Sequence, residues 1–138
     1  MRGLLGQLIE QADQLTIVDM EASVEHMSRG TVRHVDVVLI VVEPYYRSLE
    51  TAGRMVPLAR DLGIPHIYAV ANKVRGERDE AAVREYCAKH DLEVVAYVPF
   101  DDAISEADRA GIAVIDHDPN ALAVAAIRQL THRLEGVV

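Results

Sequence analysis

A single cysteine, Cys87, stands in a chain of 138 residues, so neither an intramolecular disulfide nor a cysteine-based metal site can form within it. A reducing compartment suits such a chain. Basic residues are in the minority, fourteen Lys and Arg against twenty-two Asp and Glu, for a formal charge of −8. That balance opposes phosphate-driven binding to nucleic acid or to an anionic membrane. No stretch approaches the roughly 18 consecutive apolar residues that span a bilayer, and no basic segment followed by an apolar core opens the chain. Internal repeats, low-complexity tracts and flexible linkers are also missing from the sequence. No two of the six histidines are three or four residues apart on an expected helix, so no metal site is expected. These absences predict a cytoplasmic protein with no nucleic-acid, membrane or metal partner.

What is present is the composition of one globular domain, 50% hydrophobic and 26% charged. A chain of this length buries roughly two-thirds of the surface it exposes when unfolded. Residues 1–138 are therefore expected to form a single domain.

Four runs rich in β-branched residues read as strands: Leu15 to Val18, Val37 to Val42, His66 to Ala71 and Leu92 to Val98. Val37 to Val42 is apolar without alternation, the pattern of a strand covered on both faces in a parallel sheet, and is expected to be central. Helical stretches alternate with the strands: Leu4 to Ala12, about Ser48 to Leu62, Asp79 to Lys89, about Asp101 to Ala110, and Asn120 to Leu134. The alternation predicts an α/β fold, a mostly parallel sheet of about four strands with helices on both faces. Gly63-Ile64-Pro65 should end one helix, Asp118-Pro119 should start another, and Gly136 should follow the last. Pro57 lies inside a helical stretch and predicts a kink there or two shorter helices.

Chemistry-bearing residues gather where expected strands end, the edge at which parallel sheets bind ligands. Asp19 closes the first run and is followed by Glu21 and Ser23. Such an Asp can hold the water shell of a phosphate-bound Mg²⁺, or simply cap a turn. Asn72-Lys73 closes the third run; the Asn amide can face a purine edge with the Lys stem along the ring, or the pair can be a turn. Val98-Pro99-Phe100-Asp101-Asp102 closes the fourth, either beside the same base or as a rigid corner, with the two acids as helix N-terminal charges. Cys87 reads as a packed core residue, and Tyr45-Tyr46 as a partly buried loop or a partner-facing patch.

Taken together, Asp19-Met20-Glu21-Ala22 with Glu25-His26 after it, Glu43-Pro44 through Arg47, Ala71-Asn72-Lys73-Val74 and Val98-Pro99-Phe100-Asp101 resemble the MinD/ParA-like P-loop ATPases. The likeness is closest to the accessory ATPases that assist nickel insertion into carbon-monoxide dehydrogenase. It covers nearly the whole chain but only the C-terminal half or so of such an ATPase. The resemblance implies that Asp19, Glu21 and Ser23 belong to the second switch beside Mg²⁺ and ATP. It also implies that Asn72, Lys73, Pro99 and Phe100 surround adenine, and that Glu43, Pro44 and Arg47 face a partner subunit. Where the family closes its switch with glycine this chain has Ser23, which keeps the amide but disfavours positive φ.

No Gly-x-x-x-x-Gly-Lys-Ser/Thr occurs; Gly3 and Gly6 are not followed by the required Lys. The Cys-x-Cys that joins subunits through a metal in the nickel-insertion relatives is also missing. The expectation is an incomplete P-loop NTPase fold lacking the P-loop strand, without catalytic residues of its own and with weak or no hold on ATP and Mg²⁺. Three readings follow. The chain is a non-catalytic nucleotide-related or interaction module, or one half of a split ATPase whose P-loop half is another polypeptide, or an α/β homodimerisation domain without nucleotide function. A homodimer, or a P-loop-bearing partner polypeptide, is expected because removing the P-loop strand leaves a gap or an open edge in the sheet.

Overall fold

A computed structural model describes residues 15–20 and 35–137. The element order is β1 (Val37–Val42), α1 (Tyr46–Asp61), β2 (His66–Val74), α2 (Glu77–Lys89), β3 (Glu93–Pro99), α3 (Asp102–Ala110), α4 (Val114–His117) and α5 (Leu122–Glu135). The strands form one parallel sheet in the order β1-β2-β3. Parallel neighbours require a crossover, and α1 and α2 supply the two that the chain needs.

The core has two layers. On one face α1 and α2 cover Ile40, Val42, Ala69 and Ala71 with Leu49, Ala52, Val56, Val83 and Cys87. On the other, Ala123, Ala126 and Leu130 of α5 pack on Val70, Val95 and Val98. The α/β class and helices on both faces are as expected. Cys87 is buried, and burial raises its thiol pKa, so it packs as a small apolar side chain.

Several expectations are corrected. Among the described residues three strands form where about four are expected: Leu15 to Val18 is not a strand, and Leu15 and Ile17 are 72% and 86% exposed. A β-branched run becomes a strand only where a neighbour pairs its backbone groups, and here none does among the described residues. Among the described strands the central one is β2, not β1. Ala69, Val70 and Ala71 are all buried, whereas Leu39 and Val41 of β1 are exposed. The uniform apolarity of β1 thus marks one buried face, with Ile40 and Val42, and one that the described residues leave partly exposed. The expected helix from Leu4 to Ala12 lies outside the described residues.

Helix α1 is a single helix through Pro57, not two pieces. Pro57 is exposed, while Leu49, Ala52, Val56 and Ala59 lie buried on the opposite stripe. Packing of that stripe outweighs the lost backbone bond. The helix ends as the sequence indicates. Gly63 takes φ 76, its N–H donates to the Arg60 carbonyl, and the Ile64 N–H donates to that of Ala59.

Asp101 connects two helices. One carboxylate oxygen accepts from Ala103 N at 3.0 Å and caps α3; the other accepts from Ala123 N at 3.0 Å and caps α5. Helix α5 therefore begins at Leu122 rather than Asn120, with its cap coming from 22 residues earlier. Asp118 closes only the turn before it, accepting from Asn120 N. The two backbone donors, that of Ala123 first, hold the Asp101 carboxyl below the ordinary aspartate range.

Gly63→Ala should lower stability by about 1 kcal/mol in urea denaturation, because a Cβ disfavours the left-handed conformation. Asp101→Ala should cost about 1–2 kcal/mol by removing two caps, and Asp101→Asn less, since its one amide oxygen keeps one of them. A carboxyl with a depressed folded pKa stabilises above its unfolded value near pH 4 and loses that contribution as pH falls toward the folded value. The gap between wild type and Asp101→Ala should therefore be constant above about pH 5 and shrink below about pH 4 in urea titrations followed by circular dichroism.

Candidate functional site at the C-terminal edge of the sheet

Because the strands are parallel, the segments after Val42, Val74 and Pro99 emerge on one edge. The end of β3 is fixed to the end of β2: Val74 is in register with Pro99, and Phe100 N donates to the Val74 carbonyl at 2.9 Å. This pairing brings the Asn72-Lys73 and Pro99-Phe100 segments, 26 residues apart at their closest from Lys73 to Pro99, to neighbouring strand ends.

Lys73 is a non-glycine residue at φ 56, and the β2–β3 register shifts beside it. That conformation costs about 1–2 kcal/mol and needs local support. Asn72 Oδ1 accepts from the Lys73 amide at 3.0 Å, and Lys73 Nζ lies 2.9 Å from Glu43 Oε1. The hydrogen bond to Glu43, then its charge, raise the Lys73 pKa. Two residues assigned by resemblance to different surfaces, Lys73 to the base and Glu43 to a partner, are thus an ion pair. Asn72 is half-buried with its oxygen already engaged.

Beyond Val74 the chain turns into α2. Arg75 N donates to Asp79 Oδ2 at 2.9 Å, Gly76 adopts φ 147, and its carbonyl accepts from Asp79 and Glu80. The Arg75 guanidinium carbon lies 4.2 Å from the centroid of the Phe100 ring. An open recess of about 510 Å³ lies here, walled by Arg75, Gly76, Glu80, Tyr97, Pro99 and Phe100. Pro99 and Phe100 line it; Asn72 and Lys73 do not, so the four base residues expected from resemblance stand at one edge without sharing one cavity. Arg75, Glu80 and Tyr97 were not singled out from the sequence, although Arg75 follows the Asn-Lys-Val element directly. A recess of about 450 Å³ between Pro65, His66, Tyr68, Asp91 and Glu93 lies at the opposite strand ends, away from every candidate residue.

The remaining candidates are dispersed. Asp19 is exposed in a non-strand segment, and Glu21 and Ser23 lie outside the described residues. Pro44 is half-buried and Arg47 exposed in the first turn of α1, whose backbone is anchored where Ser48 Oγ accepts from Glu43 N. Tyr45 and Tyr46 are exposed rather than partly buried, because α1 starts at Tyr46 and turns its apolar stripe, not its first residues, to the sheet. Among the described residues no three His, Cys, Asp or Glu side chains are grouped to hold a metal, and no helix is long and apolar enough to cross a membrane.

No family model matches the chain. It is 40% identical over 119 residues to the carbon monoxide dehydrogenase accessory protein CooC of Rhodospirillum rubrum, covering 86% of this chain and 44% of that protein. It is 42% identical over 111 residues to an uncharacterised ATP-binding protein of Methanocaldococcus jannaschii, covering 80% and 43%. The chain spans less than half the length of these relatives. Among solved structures, the MinD cell division protein of Aquifex aeolicus superimposes with a TM-score of 0.66 at 21% identity, over 78% of this chain and 47% of that one. A ParA family ATPase from Chlorobium tepidum gives 0.66 at 23% identity, over 81% and 46%. MinD of Pyrococcus horikoshii, solved with Mg-ADP, gives 0.61 at 21% identity, over 76% and 43%. The chain thus has the fold of the MinD and ParA structures over about half their length and is related in sequence to CooC over a similar share.

Proposed function

We propose that this chain is the base-side half of an ATP-binding fold and is not catalytic by itself. Asn72, Lys73, Pro99 and Phe100 flank the adenine. Asp19, Glu21 and Ser23 belong to the switch side of Mg-ATP, and Glu43, Pro44 and Arg47 to the side facing a partner. The observation that carries this reading is the junction of Val74 with Pro99 and Phe100, which places the Asn-Lys and Pro-Phe elements on adjacent parallel strand ends. The donor set suits a base but not the rest of the nucleotide. The sequence holds no Gly-x-x-x-x-Gly-Lys-Ser/Thr to cradle phosphates. Without that cradle, the electrostatic support for phosphoryl transfer is missing, and a chain of charge −8 repels a triphosphate. The ATP-binding relative and the MinD structure with Mg-ADP support the nucleotide class.

The relation to CooC supports a setting as an accessory to carbon monoxide dehydrogenase, in which the nickel that the resemblance implies would be cargo. This chain is unsuited to passing the metal itself, since its one cysteine is buried in the middle of α2. The prediction is that ATP binds the purified chain no more tightly than adenosine, and that no phosphate is released. Micromolar ATP affinity by calorimetry, or steady turnover with contaminants removed, would overturn it.

A second reading, one half of a split ATPase, is favoured by β1. Among the described residues no strand neighbours its outer edge, and Leu39 and Val41 are 36% and 59% exposed beside it. A P-loop-bearing polypeptide adding a strand there would complete the sheet; without one, two copies would cover the strip as a homodimer. Co-expression with the P-loop half of the CooC relative should give a complex that hydrolyses ATP and that Val41→Lys disrupts. Failure of the halves to associate removes the split reading, and a monomer by light scattering over a wide concentration range removes the homodimer.

A further inference from the structure

We infer that Arg75 gates the base platform: stacked on Phe100, its guanidinium occupies the ring face that a purine needs, so a nucleobase binds only after the arginine swings away. This rests on the base-side reading above and adds a means of regulating that site.

The guanidinium carbon stands 4.2 Å from the Phe100 centroid, a direct contact between the two planar groups with no room for a further layer. The pairing is built into the backbone. Phe100 N is held by the Val74 carbonyl, and Arg75 is the residue that follows Val74, so ring and guanidinium project from two joined strand ends. The Arg75 backbone is fixed in turn, by its N–H donated to Asp79 and by Gly76 at φ 147. Opening is therefore a side-chain movement. Arg75 is exposed and Phe100 is 40% exposed, so the departing guanidinium gains water and no packed layer has to be broken. The barrier is the lost cation–π contact, which at an exposed site corresponds to about a two- to fivefold change in affinity. A base stacked on Phe100 would lie in the recess between Pro99, Tyr97 and Gly76.

The sign of one substitution tests this. Adenosine is titrated to millimolar concentration into the full chain, and the amide resonances of Gly76 and Phe100 are followed by NMR for wild type, Arg75→Ala and Phe100→Leu. The gate predicts that Arg75→Ala binds about two- to fivefold more tightly than wild type and that Phe100→Leu binds more weakly. If Phe100→Leu weakens binding but Arg75→Ala leaves it unchanged or weakens it, the gate is wrong and the platform stands. If Phe100→Leu has no effect, or adenosine moves neither resonance, the gate falls together with the base-side reading.

Discussion

The parallel pairing of β2 with β3 is the constraint on which the other features depend. It determines that the chain leaves both strands on one edge, and its last bond, from Phe100 to Val74, seats the Pro99-Phe100 corner against the end of β2. The pairing is possible because β2 is sealed on both faces. Ala69 and Ala71 allow α1 and α2 to approach one face, and Val70 meets α5 on the other. A bulky residue at Ala69 or Ala71, each with no exposed surface, would lift the helices and loosen the edge that they position.

At that edge the backbone departs from regular geometry. Lys73 is held in a left-handed conformation by its neighbour's side chain and by an ion pair to the loop after β1. The same ion pair ties the Asn72-Lys73 segment, proposed to face the base, to the segment that resemblance places beside a partner. A partner pressing on Glu43 would therefore be felt at Lys73. Asp101 plays a different part, holding α3 and α5 through two backbone donors just beyond Phe100 and so keeping the corner rigid.

Much of this was legible in the chain. The span of β1, the stop at Gly63-Ile64-Pro65, the packed Cys87 and the placement of Asn72-Lys73 and Pro99-Phe100 at strand ends follow from local periodicity and turn chemistry. The misreadings share a cause. Leu15 to Val18 has strand-like residues, yet a strand is a relation between two segments, and the neighbour is not a property of the run itself. Val37 to Val42 reads as central for the same reason, since composition reports that faces are apolar and not that they are covered. Pro57 argued for a break that burial of Val56 and Ala59 overrides.

By itself, then, the sequence determined the α/β class, the strand and helix order from Val37 onward, the resemblance to MinD/ParA-like ATPases and the lack of a phosphate-gripping motif in these residues. These depend on residues close together along the chain or on the plain presence of a motif. Only the tertiary structure decided that β2 is central among the described strands, that Asp101 starts a helix 22 residues away, that Lys73 pairs with Glu43 and that Arg75 covers Phe100. Each is a contact whose energy depends on where folding brings distant side chains, and hydrophobic period or turn propensity carries no record of that position.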